Sequence, residues 1–125
     1  MPDASNPESA ANNPVSALGA GVEVVAQTLP CPGVRAGQRV TINVSAAITQ
    51  GAAAGSITLR VRRNTLTGAL VSGQGGFILA IAELKSLSIL VVDSAANDDP
   101  VYVFTIQDTT AATLNQNGIM VQPSN

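Results

Sequence analysis

Hydrophobic and polar residues alternate in short runs along most of this chain. The run Ser56–Asn64 shows it best: Ile57, Leu59 and Val61 alternate with Thr58, Arg60 and Arg62. That is the period of a β-strand with one buried and one wet face. Val22–Leu29 alternates in the same way, and in Arg39–Ile48 the residues Val40, Ile42 and Val44 face in. Leu87, Ile89 and Val91 share a face of Leu87–Asp93, while Leu90 and Val92 make the opposite face apolar as well, as at a subunit interface. Val101–Asp108 places Tyr102, Phe104 and Ile106 together, and Ile119–Gln122 forms a last short strand before Pro123.

Turn signals separate these runs. Pro30-Cys31-Pro32-Gly33 removes donors and restricts the backbone. Gln50–Gly55 reads as a flexible connection, which makes Val40–Ile48 and Ile57–Arg63 the expected hairpin. Thr65–Gly76 is broken by glycines, with a short strand at Leu66–Val71 and a hinge or tight turn at Gly73–Gly76. Phe77–Ala82 reads as a strand, although Phe77, Ile81 and Leu84 also make a helical stripe, so Phe77–Leu84 stays open between the two. Ser94–Pro100 is a polar turn, and Asn117-Gly118 carries a two-residue turn signal. Seven or eight strands without a convincing helix indicate an all-β chain, a single β-sandwich or jelly-roll domain over residues 18–125.

Met1–Ala17 breaks the alternation. It holds Pro2, Pro7 and Pro14, three Asn, three Ser and four Ala. A segment this poor in groups to bury is disordered alone. It reads as an extended N-terminal arm laid along a partner, with packing on its own domain as the other option.

Composition sharpens this picture. Hydrophobic residues make up 46% of the 125 residues, yet there are only two Phe, one Tyr and no Trp, so small aliphatic side chains build the core. Charged residues are 11%, under half the usual share, which favours a surface partly covered by neighbouring chains. A net charge of −2 argues against phosphate binding and a nucleic-acid partner. Residues 1–18 show neither the basic start nor the apolar stretch of a signal peptide. Phe77–Val92 is short for a membrane span and is interrupted by Glu83, Lys85, Ser86 and Ser88.

Candidate chemistry is sparse. The chain has no histidine, the commonest general base, and Cys31 is its one cysteine, so it has neither a Cys–His pair nor an internal disulfide. Lys85 is poorly placed to activate Ser86 or Ser88. Asp93, Asn97, Asp98 and Asp99 supply oxygen ligands, but their spacing matches no EF-hand, and an Asp/Asn-rich turn accounts for them. Gly73–Gly76 lacks the Gly-Lys-Ser/Thr of a phosphate loop. No cofactor is expected. Arg60 and Arg62 share one strand face and Arg63 the other; no aromatic residues interleave with them, so salt bridges to a neighbouring subunit or a solvated face account for them better than single-stranded nucleic acid.

Val40-Thr41-Ile42-Asn43-Val44, Ile57-Thr58-Leu59-Arg60-Val61-Arg62-Arg63 and Val101-Tyr102-Val103-Phe104-Thr105-Ile106-Gln107 resemble, in pattern and composition, the jelly-roll domains of capsid decoration (cement) proteins of tailed bacteriophages. The resemblance covers roughly Val22–Gln122 and includes no diagnostic motif. It implies a non-enzymatic virion protein, made in the host cytoplasm, that binds the major capsid protein on the outside of the shell as a homotrimer. The partner contacts it implies are Pro2, Asn6, Pro7, Asn12, Asn13 and Pro14 of the arm, with Arg60, Arg62 and Arg63. The oligomer contacts it implies are Leu87, Ile89, Leu90 and Val92, with Tyr102, Phe104 and Ile106. The alternative is a trimeric tail or fibre module that reads a host receptor with Gln50–Gly55 or Ser94–Pro100.

Overall fold

Two antiparallel sheets face each other across a layer of aliphatic side chains and the rings of Tyr102 and Phe104. The computed structural model describes residues 8–11 and 17–124. In chain order the strands are β1 (Glu8–Ala11), β2 (Ala17–Leu18), β3 (Glu23–Pro30), β4 (Arg39–Gln50), β5 (Gly55–Arg63), β6 (Leu70–Leu79), β7 (Leu84–Ser94), β8 (Val101–Asp108) and β9 (Ala112–Pro123). One sheet runs β1-β9-β4-β7, with β2 on the same edge of β9 as β1; the other runs β3-β8-β5-β6. No helix occurs among the described residues. The all-β sandwich expected from the alternation is the observed architecture, its seven long strands preceded by two short ones.

The inward residues of the alternating runs make the core. Val40, Ile42, Val44 and Ile48 of β4 meet Ile57, Leu59 and Val61 of β5 between the sheets, together with Tyr102, Phe104 and Ile106 of β8, and all are fully buried. β8 sits inside its sheet, between β3 and β5. Its outward Val103 and Thr105 are buried too, at 1% and 0% exposure, so this strand is covered on both faces.

Three sequence expectations fail here. β4 and β5 do not pair: β4 lies between β7 and β9, and β5 between β6 and β8. The connection over 51–54 passes from one sheet to the other, so the two apolar faces oppose each other instead of lying side by side. Burial rewards either arrangement, and the alternation alone cannot tell them apart. Asn117-Gly118 is no turn, because β9 continues through it, held by β4 on one side and by β1 on the other. A type I′ turn needs positive φ at both positions, and neither residue has it. Gly73–Gly76 is no hinge either: Leu66–Val71 and Phe77–Ala82 overlap the two ends of one strand, β6. Phe77–Leu79 is strand, and the chain turns at Ala80–Glu83. The glycines form a bulge: Ile57 pairs with Phe77 and Leu59 with Gln74, so Gly75 and Gly76 lie opposite Thr58 alone. Gly76 takes φ +78°, and a Cβ on Gly75 would sit 2.8 Å from the Thr58 hydroxyl oxygen.

The arm expectation is revised in part. Glu8–Ala11 pairs with Gly118–Val121 of the chain's own β9, and Ala17–Leu18 pairs with Ala112–Thr113. These stretches pack on their own domain, the other option the sequence left open, because backbone pairing requires no apolar side chains. Pro2, Asn6, Pro7, Asn12, Asn13 and Pro14 lie outside the described residues.

Candidate interaction surfaces

The outward face of the β3-β8-β5-β6 sheet carries the arginines. Register places Arg60 beside Thr105, Thr58 beside Gln107, and Gln107 beside Glu23. Arg62 grips Glu23 with two hydrogen bonds, Nε to Oε2 at 2.7 Å and Nη2 to Oε1 at 2.9 Å, and its Nη1 donates to the Gly68 carbonyl at 3.2 Å. Arg60 donates to Gln107 Oε1 at 2.6 Å and lies 3.6 Å from Glu23. The Thr105 hydroxyl also donates to Glu23. The Arg62 hydrogen bonds, against the opposing effect of burial, hold the Glu23 carboxyl below its ordinary pKa. The acidic partner of these arginines is thus Glu23 of the same chain, not a residue of a neighbouring subunit. Alternation already put Glu23 on the polar face, but only the adjacency of β3 and β8 brings it within reach.

Arg63 faces the other way and ties the two sheets together. Its Nη2 meets Asp93 Oδ1 at 2.5 Å, and Tyr102 donates its hydroxyl to Asp93 Oδ2 at 2.8 Å. Asp93 ends β7 in one sheet, whereas Arg63 and Tyr102 are paired residues of the other. Burial, then the bond to Asp93, pushes the Tyr102 hydroxyl well above its ordinary pKa. Asp98 and Asp99 accept from the backbone N–H groups of Ala36 and Gly33, so they pin the loop after β3. Among the described residues no group of three His, Cys, Asp or Glu is placed to hold a metal ion.

The outward face of the β1-β9-β4-β7 sheet is different in kind. Register lays Leu90, Asn43, Met120 and Ser9 in one row across four strands, and Ser88, Ser45, Gly118 and Ala11 in the next. Ser86, Ala47 and Gln116 follow in a third. No side chain in these rows is charged. The small residues of the second and third rows line a shallow open depression of about 470 Å³. Leu90 (67% exposed), Val92 (57%) and Leu84 (65%) project from β7 beside it.

The oligomer residues inferred from the sequence therefore divide. Leu90 and Val92 are on the surface. Tyr102, Phe104 and Ile106 are fully buried in the chain's own core, and Leu87 and Ile89 are 6% and 8% exposed, so these five cannot form a contact face. Their alternation is that of a core strand, which reads the same as an interface strand until the second sheet is in place. The depression and Met120 escaped the sequence reading, because residues in four separate strands carry no local signal of adjacency.

The molecule is a two-sheet sandwich whose ion pairs hold its own strands and sheets together. No protein-family model matches the sequence. No curated protein matches it. Among solved structures the fold is similar to a chain in the structure of infectious bursal disease virus Gx strain, with a TM-score of 0.62 at 8% sequence identity. The likeness covers 94% of this chain and 32% of the viral one, so this chain spans about a third of that neighbour's length.

Proposed function

We propose that this chain is a non-enzymatic virion structural protein that binds the outside of a phage capsid as a homotrimer and stabilises the shell. The observation that carries the reading is the block of uncharged rows on the outward face of the β1-β9-β4-β7 sheet, with Leu84, Leu90 and Val92 exposed beside the depression and Arg39 at the end of β4 as a charge on that face. Covering these rows yields roughly 25 cal/mol per Å² of apolar area and desolvates no charge within them. A fold shared with a chain from a virus structure supports it, as does the low share of charged residues. The contact surface is then Leu90, Val92 and their register neighbours. Glu23, Arg60 and Arg62 keep the other sheet's outward face polar.

The test is co-sedimentation of the purified chain with capsids lacking it, alongside its mass by light scattering. Trimer mass, and binding in many copies per capsid that raises the shell's melting temperature, are expected. Binding confined to a few copies per particle, or no binding, would overturn the shell role, and a monomer at every concentration would overturn the trimer.

A further inference from the structure

We propose that β7 is a homotypic pairing edge, through which two copies of this chain join antiparallel about a twofold axis at Ile89. The inference goes beyond the proposed function and rests on the geometry of β7 alone. A strand edge with unpaired backbone groups is a template for another strand, and natural sheets blunt such edges with bulges, prolines or coverage. The other edges of this sandwich are blunted. β3 is bulged between Val25 and Gln27 and ends in Pro30; β6 breaks register twice and carries three glycines; β9 is flanked by β1 and β2. β7 pairs with β4 in unbroken register over eleven residues, Leu84 to Ser94 opposite Thr49 to Arg39, and among the described residues no strand pairs with its other side. Among the described residues, six of the nine exposed large hydrophobic side chains lie on β6, β7 or the turn between them: Leu70, Ile78, Ile81, Leu84, Leu90 and Val92.

The sequence of β7 identifies the second strand as its own copy. On a twofold at Ile89, Leu90 falls opposite Ser88 of the second copy, Val92 opposite Ser86, and Leu84 opposite Ser94. Every bulky outward residue meets a serine, so the row interdigitates without clash. On the inward side the same register places Lys85 opposite Asp93 of the second copy, a carboxylate already held by Arg63 and Tyr102 of its own chain, so the leucine, valine and serine row carries the register. Shifting the axis by one residue sets Leu84 against Val92 and leaves Lys85 opposite Val91. Pairing about Ile89 would merge two β1-β9-β4-β7 sheets into one continuous sheet and extend the uncharged Leu90 and Ser88 rows across both copies.

Two measurements test this on the full chain. Light scattering across a concentration series should reach even-numbered assemblies: dimers, or hexamers where trimers also form. Ser88→Leu sets a second bulky side chain opposite Leu90 twice per twofold and should weaken association about tenfold or more. Cross-linking reads the register. A mixture of Ser88→Cys and Leu90→Cys chains places the thiols directly opposite, about 5 Å apart at Cβ, while either variant alone separates them diagonally by roughly 7–8 Å. The mixture should form disulfide dimers about tenfold faster than either alone. Equal cross-linking of the separate variants, or association indifferent to Ser88→Leu, would overturn the pairing. A trimer that associates no further would overturn it and leave the proposed function standing, whereas a monomer throughout would remove both.

Discussion

Ala82 holds a left-handed backbone, φ +59°, in the turn from β6 to β7. Its N–H donates to the Gly51 carbonyl at 3.0 Å, which holds the turn in place. A Cβ in this conformation costs roughly 1–2 kcal/mol, and glycine gives back about 0.4–1 kcal/mol through the freer unfolded chain. Ala82→Gly is therefore expected to raise stability by about 0.5 kcal/mol in urea unfolding, and a loss would show that the turn stores no strain. Glu23 supplies a pH signature. Its folded pKa lies below the ordinary 4.5, so its contribution is complete above that value and lost as pH falls through the folded one. The urea midpoint of Glu23→Gln should change less between about pH 6 and pH 3 than that of the parent chain; an equal change would assign the acid sensitivity to other carboxylates. Arg63→Ala strands the nearly buried Asp93 with Tyr102 as its remaining side-chain partner, and should cost about 2 kcal/mol, below the 3–5 kcal/mol of a fully buried pair because Arg63 is part-exposed.

At the scale of elements, bulges and crossings decide what the chain's alternation leaves open. β6 keeps its place on β5 through the Gly75-Gly76 bulge, and Gly76 alone carries the positive φ there. Gly76→Ala should cost about 1 kcal/mol with the strand retained, measured as an unchanged β-type circular dichroism spectrum and a lower melting temperature. Most strand positions were legible in advance because an alternating run has one pairing face whatever its neighbours are. Strand order was not legible, and neither was the difference between a glycine-rich break and a bulge. Asn117-Gly118 makes the point: a sequence that favours a turn in isolation is held straight because β4 and β1 take up hydrogen bonds on both its sides.

At the scale of the molecule, charge is segregated. Glu23, Arg60 and Arg62 pair on one outward face, Arg63 and Asp93 bridge the sheets, and the opposite face carries Arg39 at the end of β4 beside rows without charge. Replacing Leu90 and Val92 together by Asp leaves the core untouched, so the chain should melt within about 1 kcal/mol of the parent. Capsid binding or self-association should fall at least tenfold, as read by sedimentation. An undiminished association would place the contact elsewhere. Substitutions at Phe104 or Ile89 probe folding instead, since both side chains are buried within one chain.

The sequence by itself determined the class of fold, the inward residues of most strands and the shortage of catalytic groups, because period-two alternation and residue chemistry are local properties. Only the tertiary structure decided that Arg60 and Arg62 are answered by Glu23 and that Tyr102, Phe104 and Ile106 are core. It also decided that Leu90 and Val92 face outward beside a depression lined by β7 itself and by β1, β4 and β9. Those outcomes depend on which strands become neighbours, and that is set by how the two sheets bury their apolar faces together, a choice no single stretch of the chain encodes.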